Sequence, residues 1–221
     1  MIKAIFFDLD GTLLNRERTL ELFVEYQYNQ FISPLEVVSK DDYITKFIEL
    51  DDRGYVWKDK VYQQLMKHFN ISALTWQSLL KDYLNNFKDC CTPFPGLMQT
   101  IKNLKSNNLV LGIITNGRGQ FQMDNIKALG IEDYFDTILI SEWEGMKKPD
   151  ERLFRKALDR HHLSAGECIF VGDHPDKDIK ASNHIGMISV WKEDCYYGKA
   201  DADFIIKDLV EIIDIIDKIN P

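Results

Sequence analysis

The spacing of apolar and polar positions changes along this chain. Ile5-Phe6-Phe7 is apolar without alternation and predicts a strand over residues 3–8 that is buried on both faces of a parallel sheet. From Thr19 to about Asn86 the period becomes helical, with Leu20, Phe23, Val24, Tyr28 and Phe31 on one face. Further helices are expected over residues 35–50, 58–69 and 74–87, with Ser72 and Thr75 as caps for the last. No strand pattern interrupts this block, which reads as a helical insert. Two prolines and a glycine in Pro93-Phe94-Pro95-Gly96 close it.

Beyond that boundary strands and helices alternate. Helices are expected over 97–106, 120–129, 149–161, 176–183 and 209–219, and strands over 110–115, 137–140, 169–172, 187–191 and 204–206. Gly130 reads as a C-cap and Pro149 as a first-turn residue. Such alternation predicts an α/β class, with a doubly wound parallel sheet covered by helices on both faces. The expected organisation is a core of residues 1–16 and 93–221, with a helical domain of residues 17–92 inserted after the first strand.

The first strand ends in Asp8-Leu9-Asp10-Gly11-Thr12. Ligands of open α/β sheets bind at the carboxyl ends of strands. Two carboxylates placed there repel unless a cation lies between them, which points to a magnesium-like site. Asp10-Gly11 between apolar runs is also a hairpin signal. A calcium loop fits worse, because Leu13 and Thr19 stand where it would need glycine and glutamate. Partners elsewhere in the chain decide, and three more expected strand ends supply polar residues: Thr115-Asn116-Gly117, Lys147-Lys148-Pro149-Asp150, and Gly172-Asp173-His174-Pro175-Asp176-Lys177-Asp178.

In their order and spacing these four segments resemble the four motifs of the haloacid dehalogenase superfamily, and the insert resembles the helical cap that family carries between motifs one and two. The resemblance covers the whole core. It implies a magnesium-dependent phosphatase working through an aspartyl phosphate, with Asp8 as nucleophile and Asp10 as general acid and then base. It implies metal ligation by Asp8, the carbonyl of Asp10 and Asp173. Asp178 either meets the metal through water or orients Lys148. Thr115 and Asn116 would hold the phosphate with Gly117, and Lys148, the lysine directly before a proline, would neutralise it. Taken alone, each of these carboxylates would read as a helix cap or a surface charge, and His174 reads as a rim or capping group.

Asp10 argues against a dehalogenase, which needs no proton on its leaving group. It also argues against a phosphonate hydrolase with a cap lysine, so Lys40, Lys46 and Lys58 read as solvated charges. The alternatives are a sugar phosphomutase and a non-catalytic binding protein on the same fold. Substrate choice is expected from the cap, where Arg53 in the 50–58 stretch is a candidate contact, as is Arg118 in the core. Tyr26, Tyr55 and Trp57 would suit a nucleobase or serve as cap core. The expected partner is a nucleoside monophosphate, phosphoglycolate or a sugar phosphate, and the sequence leaves the oligomeric state unknown.

Composition narrows this little further. The chain of 221 residues is 45% hydrophobic and 28% charged, with a net charge of -8, which argues against binding nucleic acid polymers or an anionic membrane. Cys90, Cys91, Cys168 and Cys195 form no CxxC pair, which argues against zinc. With no leader pattern at the start, a cytoplasmic enzyme is expected.

Overall fold

The structure, a computed structural model, describes residues 1–220, and Pro221, the last residue of the expected core, lies outside them. The chain divides into two compact units, Met1–Asn15 with the chain from Pro93 onward, and Arg16–Thr92.

The first unit is built on six parallel strands: β1 (Ala4–Phe7), β2 (Val110–Thr115), β3 (Thr137–Ile140), β4 (Cys168–Gly172), β5 (Ile188–Lys192) and β6 (Phe204–Ile206). They lie in the order β3-β2-β1-β4-β5-β6, so the chain builds outward to one side of β1 and then returns to build the other. Such a reversal opens a crevice at the carboxyl ends of the central strands, here β1 and β4. The register pairs Phe7 with Ile113 on one side and with Val171 on the other. The ladder runs one residue past β1, where the Asp8 N–H donates to the Val171 carbonyl at 2.9 Å. The expected α/β class and parallel sheet are present.

In the second unit, α1 (Arg16–Gln27), α2 (Lys40–Asp51), α3 (Lys58–His68) and α4 (Trp76–Asn86) surround an aromatic interior. Phe23 lies 5.3 Å from Tyr83 and 5.8 Å from Phe87 between ring centroids. The helix expected from residue 35 starts at Lys40 instead. Pro34 sits in a short turn, Ser33–Leu35, and Ser39 caps α2 by accepting from the Asp42 N–H. Thr75 caps α4 by accepting from the Ser78 N–H, a place the sequence left open between Ser72 and Thr75.

One expectation is corrected here. Lys58 is not a solvated charge: its ammonium is buried against Asp51, itself buried. Arg16 reaches the same carboxylate, with Nη2 at 2.9 and 3.2 Å from its two oxygens. A carboxylate so enclosed needs cationic partners, and Lys58 stays inside to supply one. Arg16 is the first residue of the helical unit. Lys40 and Lys46 make surface pairs with Glu25 and Glu49, each at 2.7 Å.

The sheet is covered by α5 (Leu97–Ser106), α6 (Gly119–Ala128), the short α7 (Ser141–Glu144), α8 (Glu151–Arg160), α9 (Ala181–Ile185) and α10 (Glu211–Ile219). Phe6, Ile114, Leu139 and Phe170 pack with Leu153, Phe154 and Ala157 of α8. Each of the phenylalanine, leucine and isoleucine side chains contributes about 1.5–3 kcal/mol by leaving water. Where the helical unit interrupts it, the core chain departs and returns at one place. Leu14 bridges to Pro93, and the Phe94 N–H donates to the Leu13 carbonyl at 3.0 Å.

Gly112 stands beside Phe6 in the register, and a Cβ there would lie 2.3 Å from the Phe6 ring. Gly112→Ala is therefore expected to lower stability by about 1–3 kcal/mol through overpacking. Urea unfolding with an unchanged m-value would show it, and a loss below the error of the fit would contradict this packing.

Candidate active site

Asp8 directly follows β1, with 6% of its surface exposed, and Asp173 follows β4 with 7%. Lys148 comes from the loop before α8 and is 3% exposed. Its ammonium lies 2.6 Å from Asp8 Oδ1 and 2.6 Å from Asp178 Oδ1. The second oxygen of Asp178 accepts from the His174 N–H at 3.1 Å. His174 itself caps the following π-type turn, Pro175–Lys180, with Nδ1 accepting from the N–H groups of Asp176 and Lys177. So Asp178, on a turn that His174 opens, spends one oxygen on Lys148 and the other on backbone.

Asn116 clasps the lysine from behind. Its Oδ1 accepts from the Lys148 N–H at 2.8 Å, and its Nδ2 donates to the Lys148 carbonyl at 3.0 Å. The loop after β2 is thereby tied to the loop that carries the ammonium. Thr115 closes β2 fully buried. Asp10 is half-buried, and its Oδ2 accepts from Gln122 Nε2 at 2.7 Å. Gln122 also reaches Thr115 Oγ1 at 2.9 Å.

The electrostatics follow from three carboxylates around one ammonium. Burial pushes the Asp8 carboxyl up to about 7, and Lys148 offsets this only in part. Burial, then the charges of Asp8 and Asp178, hold Asp173 well above the usual carboxylate range. Burial alone would lower Lys148, but Asp178 and Asp8 outweigh it and keep the ammonium charged beyond the ordinary lysine range. The site is short of positive charge. Oxygens of Asp8, Asp173 and Asp178 all lie within 4.8 Å of one another, a hard oxygen donor set of the kind divalent cations take. Gly11, at φ +84°, passes so close that a Cβ would fall 2.3 Å from Asp173 Oδ2. Glycine keeps the approach to that carboxylate open. These residues fit a divalent cation.

The model of a family described as haloacid dehalogenase-like hydrolase matches residues 5–192. The chain belongs to the haloacid dehalogenase-like hydrolases. A protein of Methanocaldococcus jannaschii named glyceraldehyde 3-phosphate phosphatase is 31% identical over 230 residues, covering 98% of this chain and 97% of its own length. One of the same name from Pyrococcus furiosus is 28% identical over 234 residues, covering 99% and 95%. Among solved structures, the HAD-type hydrolase YfnB of Bacillus subtilis, bound to magnesium, aligns with a TM-score of 0.76 and 21% identity over 97% of this chain and 98% of that one, a likeness of fold. This chain is a phosphatase-like member of the family.

Other candidates of this haloacid dehalogenase-like hydrolase stand differently. Gly117, read as phosphate-binding, gives its N–H to Ser141 Oγ at 2.9 Å, so the structure does not offer it as a donor to a ligand. Arg118 is exposed at the start of α6. Arg53 belongs to the helical unit, where it pairs with Glu17 Oε1 at 2.6 Å. Two residues near the acidic group went unread in the sequence. Gln122 is one, and Trp191 is the other, its indole donating to the Asp173 carbonyl at 2.7 Å. Neither carries a motif; only the pairing of Trp191 with Gly172 across β4 and β5 places its ring beside that loop.

Lys148→Met is expected to cost about 3–5 kcal/mol in urea unfolding, because it leaves Asp8 and Asp178 buried without their shared cation. Adding Asp178→Leu is expected to return at least about 1 kcal/mol of that loss. A double variant no more stable than the single one would show that lost packing, not stranded charge, is the cause.

Proposed function

We propose that this chain is a magnesium-dependent phosphatase that hydrolyses a small phosphorylated metabolite through an aspartyl phosphate, an acyl phosphate, on Asp8. The observation that carries this reading is the placement of Asp8. It sits buried at the carboxyl end of β1, 2.6 Å from the Lys148 ammonium, with Asp173 in the same acidic group and Asp10 two positions on.

In this reading an Asp8 oxygen attacks phosphorus and the bond from phosphorus to the leaving oxygen breaks. Asp10 gives that oxygen a proton. Asp10 then takes a proton from water, which attacks the aspartyl phosphate and frees inorganic phosphate and Asp8. Lys148 remains charged throughout and offsets the phosphoryl oxygens. Thr115 and the Asn116 N–H hold non-bridging oxygens. Asp8, Asp173 and the Asp10 carbonyl would hold magnesium, which when bound supplies charge to stabilise the phosphoryl group. Asp178 is assigned to orienting Lys148, since both of its oxygens are engaged.

The helical unit Arg16–Thr92 is assigned the part of the cap and of substrate choice. The relatives named for glyceraldehyde 3-phosphate favour a small sugar-type phosphate over a nucleotide. No helix among the described residues is long and apolar enough to cross a membrane.

The test is release of inorganic phosphate from a panel of glyceraldehyde 3-phosphate, phosphoglycolate, hexose phosphates and nucleoside monophosphates. Asp8→Asn is expected to lower kcat at least about 10³-fold, and chelation to abolish turnover until magnesium is restored. An Asp8→Asn protein as active as the parent would refute the nucleophile. Turnover that survives chelation would refute the metal. Substrate consumed without phosphate release, with a sugar bisphosphate required, would make it a mutase.

A further inference from the structure

Gln122 has no part in the mechanism above, yet it touches two of its groups. It is 2% exposed on α6. Its amide nitrogen faces Asp10 Oδ2 at 2.7 Å, Thr115 Oγ1 at 2.9 Å and the Asn116 carbonyl at 3.4 Å. Behind it, Asn125 Nδ2 donates to Gln122 Oε1 at 3.5 Å. An amide's orientation follows from its hydrogen-bond network. Turned over, Gln122 would set its oxygen against the Asp10 carboxylate and the Asn116 carbonyl, and its NH₂ against that of Asn125. Gln122 is therefore held as a donor.

Two consequences follow for its partners. Thr115 Oγ1 receives an N–H, so its own O–H is left to donate elsewhere. Asp10 has Oδ2 fixed, so Oδ1 is the oxygen through which a proton can pass.

We propose that Gln122 is a positioning residue. It aims Asp10 Oδ1 at the leaving oxygen and the Thr115 hydroxyl at a non-bridging phosphate oxygen. This rests on the acid–base role given to Asp10 above. In the step concerned, the bond from Asp8 oxygen to phosphorus forms, the bond from phosphorus to the leaving oxygen breaks, and the proton on Asp10 Oδ1 moves to that oxygen. An alkoxide is a poor leaving group and needs the proton. A nitrophenolate leaves without it. Gln122 thus matters more for alkyl phosphates than for activated aryl phosphates.

The experiment measures kcat/KM on one alkyl phosphate active in the panel and on 4-nitrophenyl phosphate, for the parent, Gln122→Met, Gln122→Glu and Asp10→Asn. Both substrates are assayed on the same preparation, so the alkyl-to-aryl ratio does not depend on how much protein is folded. That ratio is expected to fall about 10- to 100-fold in Gln122→Met, the effect of losing one hydrogen bond to a charged group. Gln122→Glu, which keeps the shape and replaces the donor, is expected to shift it the same way. Equal losses on the two substrates in both Gln122 variants would reduce the residue to packing and overturn the proposal. If Asp10→Asn lowers the ratio while the Gln122 variants do not, only this inference fails. If Asp10→Asn leaves the ratio unchanged, the acid role of Asp10 fails with it.

Discussion

The ammonium of Lys148 is the point on which the rest turns. Three segments far apart in sequence, ending β1, preceding α8 and following β4, converge because one buried cation is shared by Asp8 and Asp178. A buried ion pair is weak evidence for stability in itself, since desolvation offsets much of the attraction. Here its value is positional. The lysine cannot leave without stranding two carboxylates, and Asn116 fixes its backbone from the other side. A charged group held this way by Asp8, Asp178 and Asn116 is preorganised, with no freedom to turn elsewhere.

The acidic excess around that lysine is the complementary half. Asp173 stands beside Asp8 in a buried site, where burial and repulsion among the carboxylates both favour protonation. The arrangement is costly in the bare protein, and a cation held by these oxygens would relieve the repulsion. The strand order supplies the place for it, because β1 and β4 are neighbours although most of the chain lies between them.

Much of this was legible in the sequence, for identifiable reasons. Strands buried on both faces are continuous apolar runs, so β2 and β3 begin and end where the pattern puts them. Asp8 and Asp173 were legible because each follows such a run at a strand end, and Lys148 because the family resemblance places its lysine directly before a proline. What escaped has no local period. Helix α7 is four residues long, too short to show a repeat. The turn Pro175–Lys180 has π-type bonding, which residue order does not distinguish from an α-helix. Gln122 meets Asp10 across 112 positions, and an amide on a helix gives no sign of its partner. Lys58 was misread because a lysine in a polar loop looks solvated, and what buries it is the charge of Asp51 and the fold of the other helices.

The paired backbone at Leu14 and Pro93 has a bearing on ancestry. A detour whose two ends already touch leaves the parent fold's connectivity intact, and lengthening such a detour raises its closure cost only logarithmically. Modules of different size could be spliced in or traded at that junction over generations, with the parallel sheet and its strand-end loops inherited unaltered.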